Sequence, residues 1–250
     1  MKVALSIGGS DSCGGAGIQA DSKTFHDFGI YSTTALTAIT AQNTTGVKKI
    51  IPLQPEDVIA QIDAVCDDFP IDVIKIGMLM DKQIIEAVAY RLQFIKAKIV
   101  FDPVCISKAG SVLLAPDAID ALRRMVSLVD IVTPNRYEAS ILFGDDVEVY
   151  AKQTPIVVKN LVDPEDPTLR IDRLYHEKGM QAFPHPTITT NNLHGTGCTF
   201  AAALAASWIC GSEMTEALVE AQSYVSSQLR SAMSVGGGFG PISFHGGSRS

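Results

Sequence analysis

Short apolar runs alternate with amphipathic segments along this chain, and that alternation restricts its fold more than any other feature. The predicted strands are residues 3–7, 31–40, 73–76, 98–101, 130–132 and 156–159, and the predicted helices are 18–28, 55–69, 82–94, 116–127, 136–143, 196–210 and 212–234. Strands this short and apolar are typical of a parallel sheet covered on both faces. The sequence predicts one α/β domain over residues 1–245 and a disordered tail at 246–250.

Polar and glycine motifs recur where the predicted strands end. They are Gly8-Gly9, Gln42-Asn43, Gly77-Met78, Asp102-Pro103 and Asn135. Ligands of parallel sheets bind beyond the carboxyl ends of the strands, where such motifs come together. The sequence therefore predicts a binding site at that edge.

Charge and cysteine content exclude several classes of protein. The formal net charge is −7 and the chain has no Lys/Arg cluster, which argues against a nucleic-acid partner. The five cysteines form no C-x-x-C pair, which argues against a disulfide framework or zinc site and favours a cytoplasmic protein. No apolar run reaches membrane-spanning length, so no membrane partner is expected.

A glycine-rich turn at residues 194–197 runs directly into an alanine-rich helical segment. Unpaired N–H groups at a helix N-terminus favour an anion, so Gly195, Thr196 and Gly197 are candidates for an anion cradle. Cys198 falls in the first helical turn, where the thiolate is favoured and could act as a base. The alternative is a glycine-rich helix cap with a buried cysteine.

Other candidates lie on the remaining loops. Asn135 and Glu138, with Asp102, could hold Mg²⁺, although a helix-capping pair has the same spacing. Lys108 and Lys159 could contact phosphates, although surface exposure is the ordinary state of a lysine. The loop at 8–17 holds five glycines and lacks the Lys-Ser/Thr ending of a P-loop. Asp21 follows on the next helix and could accept hydrogen bonds from a ligand.

Six segments occur in the order typical of one family. They are GGSDSCGGAGIQAD at 8–21, TAITAQNT at 37–44, KIGML at 75–79, DPV at 102–104, TPNRYEA at 133–139 and HGTGCT at 194–199. Together they resemble the hydroxymethylpyrimidine/phosphomethylpyrimidine kinases of thiamine biosynthesis, in the ribokinase-like superfamily. The resemblance covers most of residues 1–145 and 187–244.

The resemblance implies a three-layer α/β/α fold and a homodimer. It implies ATP-dependent, Mg²⁺-dependent phosphorylation of a hydroxymethyl aminopyrimidine and then of its monophosphate. The family motifs match a pyrimidine pocket at Gly9, Asp21, Gln42 and Met78, an anion hole at 195–197, and a base at Cys198. Asn135 and Glu138 match the family's magnesium and phosphate motif.

The chain also departs from the family pattern. The family's Lys-Gly-Gly is Lys159-Asn160-Leu161 here, and the segment at 144–154 is short, which predicts weak ATP binding. Three rival functions remain open at this point: a pyridoxal kinase, a pyrimidine-binding relative with weakened catalysis, and a cysteine hydrolase using Cys198 and His194.

Overall fold

A single nine-stranded sheet runs through the computed structural model, which describes residues 1–105 and 116–244. The spatial order of the strands is β3-β2-β1-β4-β5-β6-β7-β8-β9. The strands are β1 (Val3–Asp11), β2 (Tyr31–Asn43), β3 (Gly46–Pro52), β4 (Val73–Ile76), β5 (Lys98–Phe101), β6 (Ile131–Val132), β7 (Ile156–Val162), β8 (Leu169–His176) and β9 (Gly179–Pro186). The helices are α1 (Gly17–Asp27), α2 (Pro55–Cys66), α3 (Lys82–Leu92), α4 (Ile119–Val126), α5 (Arg136–Phe143), α6 (Val147–Ala151), α7 (Thr196–Ile209) and α8 (Met214–Arg230), and a short 3₁₀ turn, Pro116–Ala118, precedes α4.

The centre of the sheet is parallel and its edges are antiparallel. Strands β2, β1, β4, β5, β6 and β7 pair in parallel, whereas β3, β8 and β9 join as antiparallel neighbours. This arrangement confirms the predicted three-layer α/β/α fold with a mainly parallel sheet. Because the parallel strands point the same way, their carboxyl ends meet at one edge, where the polar motifs lie.

Two hydrophobic cores cover the two faces of the sheet. Helices α2, α3, α4 and α5 pack one core on one face, and α1, α7 and α8 pack the other. Successive residues of the central strands alternate between these cores, as in Val73 and Ile74. Helix α7 is buried almost throughout by its alanines, which let it lie close to the strands. Its N-terminus is thereby held against the carboxyl edge of the sheet.

The central elements were predicted well and the edges were not. Residues 73–76 and 98–101 form strands with the predicted bounds, and α5 and α7 begin where predicted. Strands β3, β8 and β9 and helix α6 were missed. Strand β9 contains Pro184 and Pro186, which argue against a strand; it lies at the sheet edge, where proline is tolerated. The short crossover from β6 to β7 is α5 followed by the single turn of α6.

Two sequence predictions concern residues outside the described ranges. They are the phosphate contact of Lys108 and the disordered tail at 246–250. Among the residues that are described, no helix is both long enough and apolar enough to cross a membrane.

Candidate functional site

A cavity of about 570 Å³ opens at the carboxyl edge of the parallel strands. It gathers residues from the ends of β1, β2, β4, β5 and β7 and from the first turns of α5 and α7. Every predicted site residue within the described part of the chain lines it: Gly9, Asp21, Gln42, Met78, Asp102, Asn135, Glu138, Lys159, Gly195, Thr196, Gly197 and Cys198. The first and last of these predicted residues, Gly9 and Cys198, are 189 positions apart in sequence and line one pocket.

The turn before α7 depends on a glycine at position 195. Gly195 is the N-cap of α7 with φ +89°, and a Cβ atom there would overlap the carbonyl oxygen of Gly15. The glycine-rich loop after β1 therefore packs directly against this turn. Gly197 lies beside a buried ion pair, since a Cβ atom there would be 3.6 Å from Lys159 Nζ and 3.7 Å from Asp102 Oδ2. Thr196 N donates to Leu193 O at 3.4 Å, and Gly195, Thr196 and Gly197 line a cavity that already holds a lysine.

The Cys198 thiol is protonated at neutral pH in the absence of ligand. Burial raises its pKa to about 11; the charge of Lys75 lowers it, and those of Asp21 and Asp102 raise it further. The expectation that the helix N-terminus favours the thiolate was wrong for the ligand-free protein. The favourable helix dipole is outweighed by burial next to two carboxylates.

A buried ion pair that the sequence does not predict lies in the wall of the cavity. The Lys75 ammonium is 2.9 Å from Asp21 Oδ1, both side chains are 1% exposed, and Ser6 Oγ donates to Asp21 Oδ2 at 2.5 Å. Burial lowers the pKa of Lys75, but the Asp21 carboxylate more than offsets this and leaves it raised, so Lys75 stays charged. The Asp21 carboxylate is therefore committed to protein partners. The available signal was a lysine inside an otherwise apolar strand.

Two carboxylates, Asp102 after β5 and Glu138 in the first turn of α5, lie near Lys159 on β7. Lys159 Nζ donates to Asp102 Oδ1 at 2.7 Å, and both side chains are buried. Glu138 and Asn135 form a capping box: Glu138 Oε2 accepts from Asn135 N at 2.9 Å, and Asn135 Oδ1 accepts from Glu138 N at 3.0 Å. Burial and then the charge of Asp102 raise the pKa of Glu138 to about 7, against the opposing effect of Lys159.

The left-handed backbone at Asn160 explains part of the altered Lys-Gly-Gly motif. Asn160 has φ +58°, a conformation that asparagine tolerates better than most residues. Its backbone N–H donates to Asp172 Oδ1 at 2.6 Å. The position therefore keeps the conformation that a glycine would adopt, and Lys159, Asn160 and Asp172 all line the cavity.

Gly9, Gln42 and Met78 also line the cavity. A Cβ atom on Gly9 would overlap the Met78 side chain, so this glycine makes room for the methionine. Gln42 Nε2 lies 3.3 Å from His194 Nε2, and His194 Nε2 is 2.7 Å from Asp11 Oδ2. Asp11 and His194 were not predicted to contribute to the pocket.

The glycine-rich segment at 236–240 contacts two loops beside the cavity. Phe239 N donates to Thr44 O at 2.9 Å, in the turn between β2 and β3. His194 N donates to Gly240 O at 3.0 Å. The segment thereby ties the β2–β3 hairpin to the turn before α7.

Two other chemistries are not favoured by these contacts. Asp11, Cys13 and His194 are the only three potential metal ligands that cluster within 4.8 Å of one another in the described ranges. The Asp11 carboxylate already accepts from the N–H groups of Cys13, Gly15 and Ala16, so it has little capacity left for a metal. For a hydrolase, His194 Nε2 faces Asp11 and Gln42 rather than Cys198.

Comparison with known proteins identifies the family. The sequence model of phosphomethylpyrimidine kinase matches residues 11–243. A hydroxymethylpyrimidine/phosphomethylpyrimidine kinase of Salmonella typhimurium is 40% identical, with 96% of each chain covered.

Two solved structures show the same fold. The ADP complex of Bacillus subtilis pyridoxal kinase has a TM-score of 0.84 and 32% identity, covering 97% of this chain and 96% of that one. A phosphomethylpyrimidine kinase of Clostridium difficile has a TM-score of 0.77 and 33% identity, covering 91% and 99%. The chain therefore belongs to the phosphomethylpyrimidine kinase family of ribokinase-like enzymes.

Proposed function

We propose that this kinase transfers a phosphoryl group from ATP to the hydroxymethyl group of an aminopyrimidine, and then phosphorylates the resulting monophosphate. The observation that carries the proposal is one cavity lined both by Gln42 and Met78 and by the α7 N-terminus, Lys159 and Asp102. A flat polar ring suits the first group of residues, which we call the pyrimidine end, and phosphates suit the second group, which we call the phosphate end. Curated relatives of nearly equal length carry the name hydroxymethylpyrimidine/phosphomethylpyrimidine kinase.

The test is turnover of ATP with hydroxymethylpyrimidine and, in parallel, with pyridoxal. We expect the pyrimidine to be preferred in kcat/KM. Pyridoxal kinase remains the second candidate, because a pyridoxal kinase is a close structural neighbour. A preference for pyridoxal would replace the proposed substrate, and no turnover with either would favour the third candidate, a pyrimidine-binding relative with weakened catalysis.

In the proposed reaction the chain's residues position the reactants and neutralise charge, which is most of what phosphoryl transfer needs. The first-turn N–H groups at 195–197 and the Lys159 ammonium hold phosphate oxygens, and Lys108 is assigned the same role from sequence. The substrate oxygen bonds to the terminal phosphorus of ATP while ADP departs with the bonding electrons. The hydroxyl proton passes to the sulfur of Cys198 in the fraction of molecules whose thiol is ionised.

We assign Asp102 and Glu138, supported by Asn135, to hold Mg²⁺. The donor set fits, because burial and then the charge of Asp102 raise the pKa of Glu138, and the one lysine beside them ion-pairs with Asp102. Mg²⁺ prefers one or two carboxylates together with substrate phosphates and neutralises charge on them. These residues would hold the ion at the phosphate end of the cavity.

Glu138→Gln should raise the Mg²⁺ concentration for half-maximal rate several-fold without lowering Tm. Glutamine can still close the capping box, so the helix keeps its cap while the site loses a charge. Mg²⁺-dependent stabilisation by ADP, measured by thermal shift, should weaken in parallel. Glu148→Gln, on an exposed position of α6, is the matched control. An early-melting variant with unchanged Mg²⁺ dependence would leave Glu138 as a cap only.

Gln42→Leu should raise the KM for the pyrimidine by about 5- to 150-fold, while the KM for ATP stays within about twofold. The primary amide donates and accepts at once, and its loss leaves ligand polar atoms unpaired, at a cost of about 1–3 kcal/mol. Steady-state kinetics with each substrate varied will measure both constants. Equal rises in both would indicate general damage, and an unchanged pyrimidine KM would remove Gln42 from the pocket.

We also propose a homodimer. Ile39 on β2 and Ile51 on β3 are direct cross-strand partners, and each is 44% exposed, which leaves apolar surface on the outer strands. Sedimentation velocity at micromolar concentration should give twice the chain mass. A monomer under those conditions would contradict this proposal.

A further inference from the structure

A chain of four polar side chains borders the pyrimidine end of the cavity. His194 Nε2 is 2.7 Å from Asp11 Oδ2, the Gln42 amide is 3.3 Å from His194 Nε2, and the same amide is 3.4 Å from Thr40 Oγ1. Asp11, His194 and Thr40 are buried at 4–5% exposure, and Gln42 is half-buried at the cavity wall. Buried hydrogen bonds of this kind have a direction, because each group must donate or accept.

The other hydrogen bonds of Asp11 decide which group donates in its hydrogen bond with His194. Asp11 Oδ2 also accepts from the N–H groups of Gly15 at 3.0 Å and Ala16 at 2.9 Å, so the carboxylate offers only lone pairs. Burial raises the pKa of Asp11, but the hydrogen bonds from His194 and the backbone outweigh it and leave the pKa below its usual value. His194 Nε2 therefore carries a proton and donates to Asp11. A protonated ring nitrogen cannot also accept from Gln42.

The hydrogen bonds of Thr40 lead independently to the same orientation of the Gln42 amide. The Thr40 hydroxyl has one hydrogen, and it donates that hydrogen to Ser10 O at 2.9 Å. Toward Gln42 the hydroxyl can then only accept, so it needs an N–H group from the amide. His194 therefore excludes the amide N–H groups from its side, and Thr40 requires them on its own side, so the Gln42 amide oxygen faces His194 and the amide nitrogen faces Thr40. A half-turn of the amide about χ3 gives this arrangement without moving any other atom.

We propose that Asp11, His194 and Thr40 are positioning residues that fix the direction of the Gln42 amide. The amide then presents its donor and its acceptor to the ring in one order only. It would read an edge with an acceptor nitrogen beside an amino group, and reject the reversed order of an oxo-pyrimidine, whose ring nitrogen donates. This inference rests on the proposed function for its substrate, and on the geometry alone for the direction of the amide.

The first test needs no substrate. Long-range ¹H–¹⁵N spectra of the ¹⁵N-labelled protein at neutral pH report which ring nitrogen of His194 is protonated. We expect a protonated Nε2. An Nε2 without a proton would overturn the proposal whatever the enzyme phosphorylates.

The second test measures discrimination between two edges. The substrates are 4-amino-5-hydroxymethyl-2-methylpyrimidine and its 4-oxo analogue. The wild-type enzyme should favour the amino compound by roughly tenfold or more in kcat/KM, since the wrong order leaves buried groups unpaired. Thr40→Val keeps the shape of the side chain but removes the acceptor, and should reduce that ratio several-fold. Thr40→Ser keeps the hydroxyl and should keep the ratio.

The outcomes separate the two proposals. An undiminished ratio in a folded Thr40→Val variant, checked by its Tm, would overturn the positioning role. Failure of the wild-type enzyme to phosphorylate either pyrimidine would reject the proposed function, and the His194 spectrum would still decide the direction of the amide.

Discussion

Cys198→Ala should lower kcat about 10²- to 10⁴-fold while leaving pyrimidine binding intact, as expected on removal of a general base. The thiol lies in the first turn of α7, where the transferred phosphoryl group is proposed to sit. Single-turnover kinetics and calorimetric titration with the pyrimidine will separate chemistry from binding. Cys210→Ala, at the exposed far end of the same helix, is the control and should behave as wild type.

The same role predicts a pH dependence with a definite sign. Only the unprotonated thiol can accept the hydroxyl proton, and burial raises the thiol pKa to about 11. Below that value the unprotonated fraction grows about tenfold per pH unit, so kcat/KM should rise between pH ~7 and ~9.5. Cys198→Ala should flatten this rise. A variant with wild-type turnover, or with the wild-type pH slope, would reduce Cys198 to a packing residue.

Gly195→Ala should abolish most of the activity, by about 10²-fold or more, which is the scale for loss of positioned backbone donors. The new Cβ atom would overlap Gly15 O, so the turn before α7 and the loop after β1 cannot both keep their positions. Left-handed backbone at a non-glycine residue adds roughly 1–2 kcal/mol of destabilisation. Initial rates and chemical denaturation will measure the two effects.

Gly211→Ala is the matched control at the other end of α7. It has φ +115°, and a Cβ atom there meets no atom within 4 Å, so it carries the backbone cost without the overlap. We expect a loss of stability with normal kcat. Equal losses of activity in both variants would mean that the effect at Gly195 is a general one on α7.

The elements that the sequence predicts best are those whose residues are nearly all apolar and nearly all buried. Strands β4 and β5 are short apolar runs ended by Gly77 and by Asp102-Pro103, and their predicted bounds match the structure. Such runs need cover on both faces, which leads directly to the three-layer fold. The motifs at the strand ends likewise predicted where the cavity is, because parallel strands bring their carboxyl ends together.

What could not be predicted is the pairing of polar groups across distant elements. Lys75 reads as an isolated charge until α1 places Asp21, 54 residues earlier, against it. Asp11 and His194 are 183 residues apart and meet only because the turn before α7 packs against the glycine-rich loop after β1. Periodicity reports which face of an element is buried, and carries no information on which buried polar groups become partners.

The folded-back segment at 236–240 also has a consequence for synthesis. The residues proposed to bind the pyrimidine occur early in the chain, yet the β2–β3 hairpin and the turn before α7 are joined through backbone groups of Phe239 and Gly240. Domains acquire structure progressively as they leave the ribosome. A nascent chain can therefore complete its sheet before these two loops are joined, and a protease cut just after α8 would remove the connection while leaving every residue of both hydrophobic cores in the larger fragment.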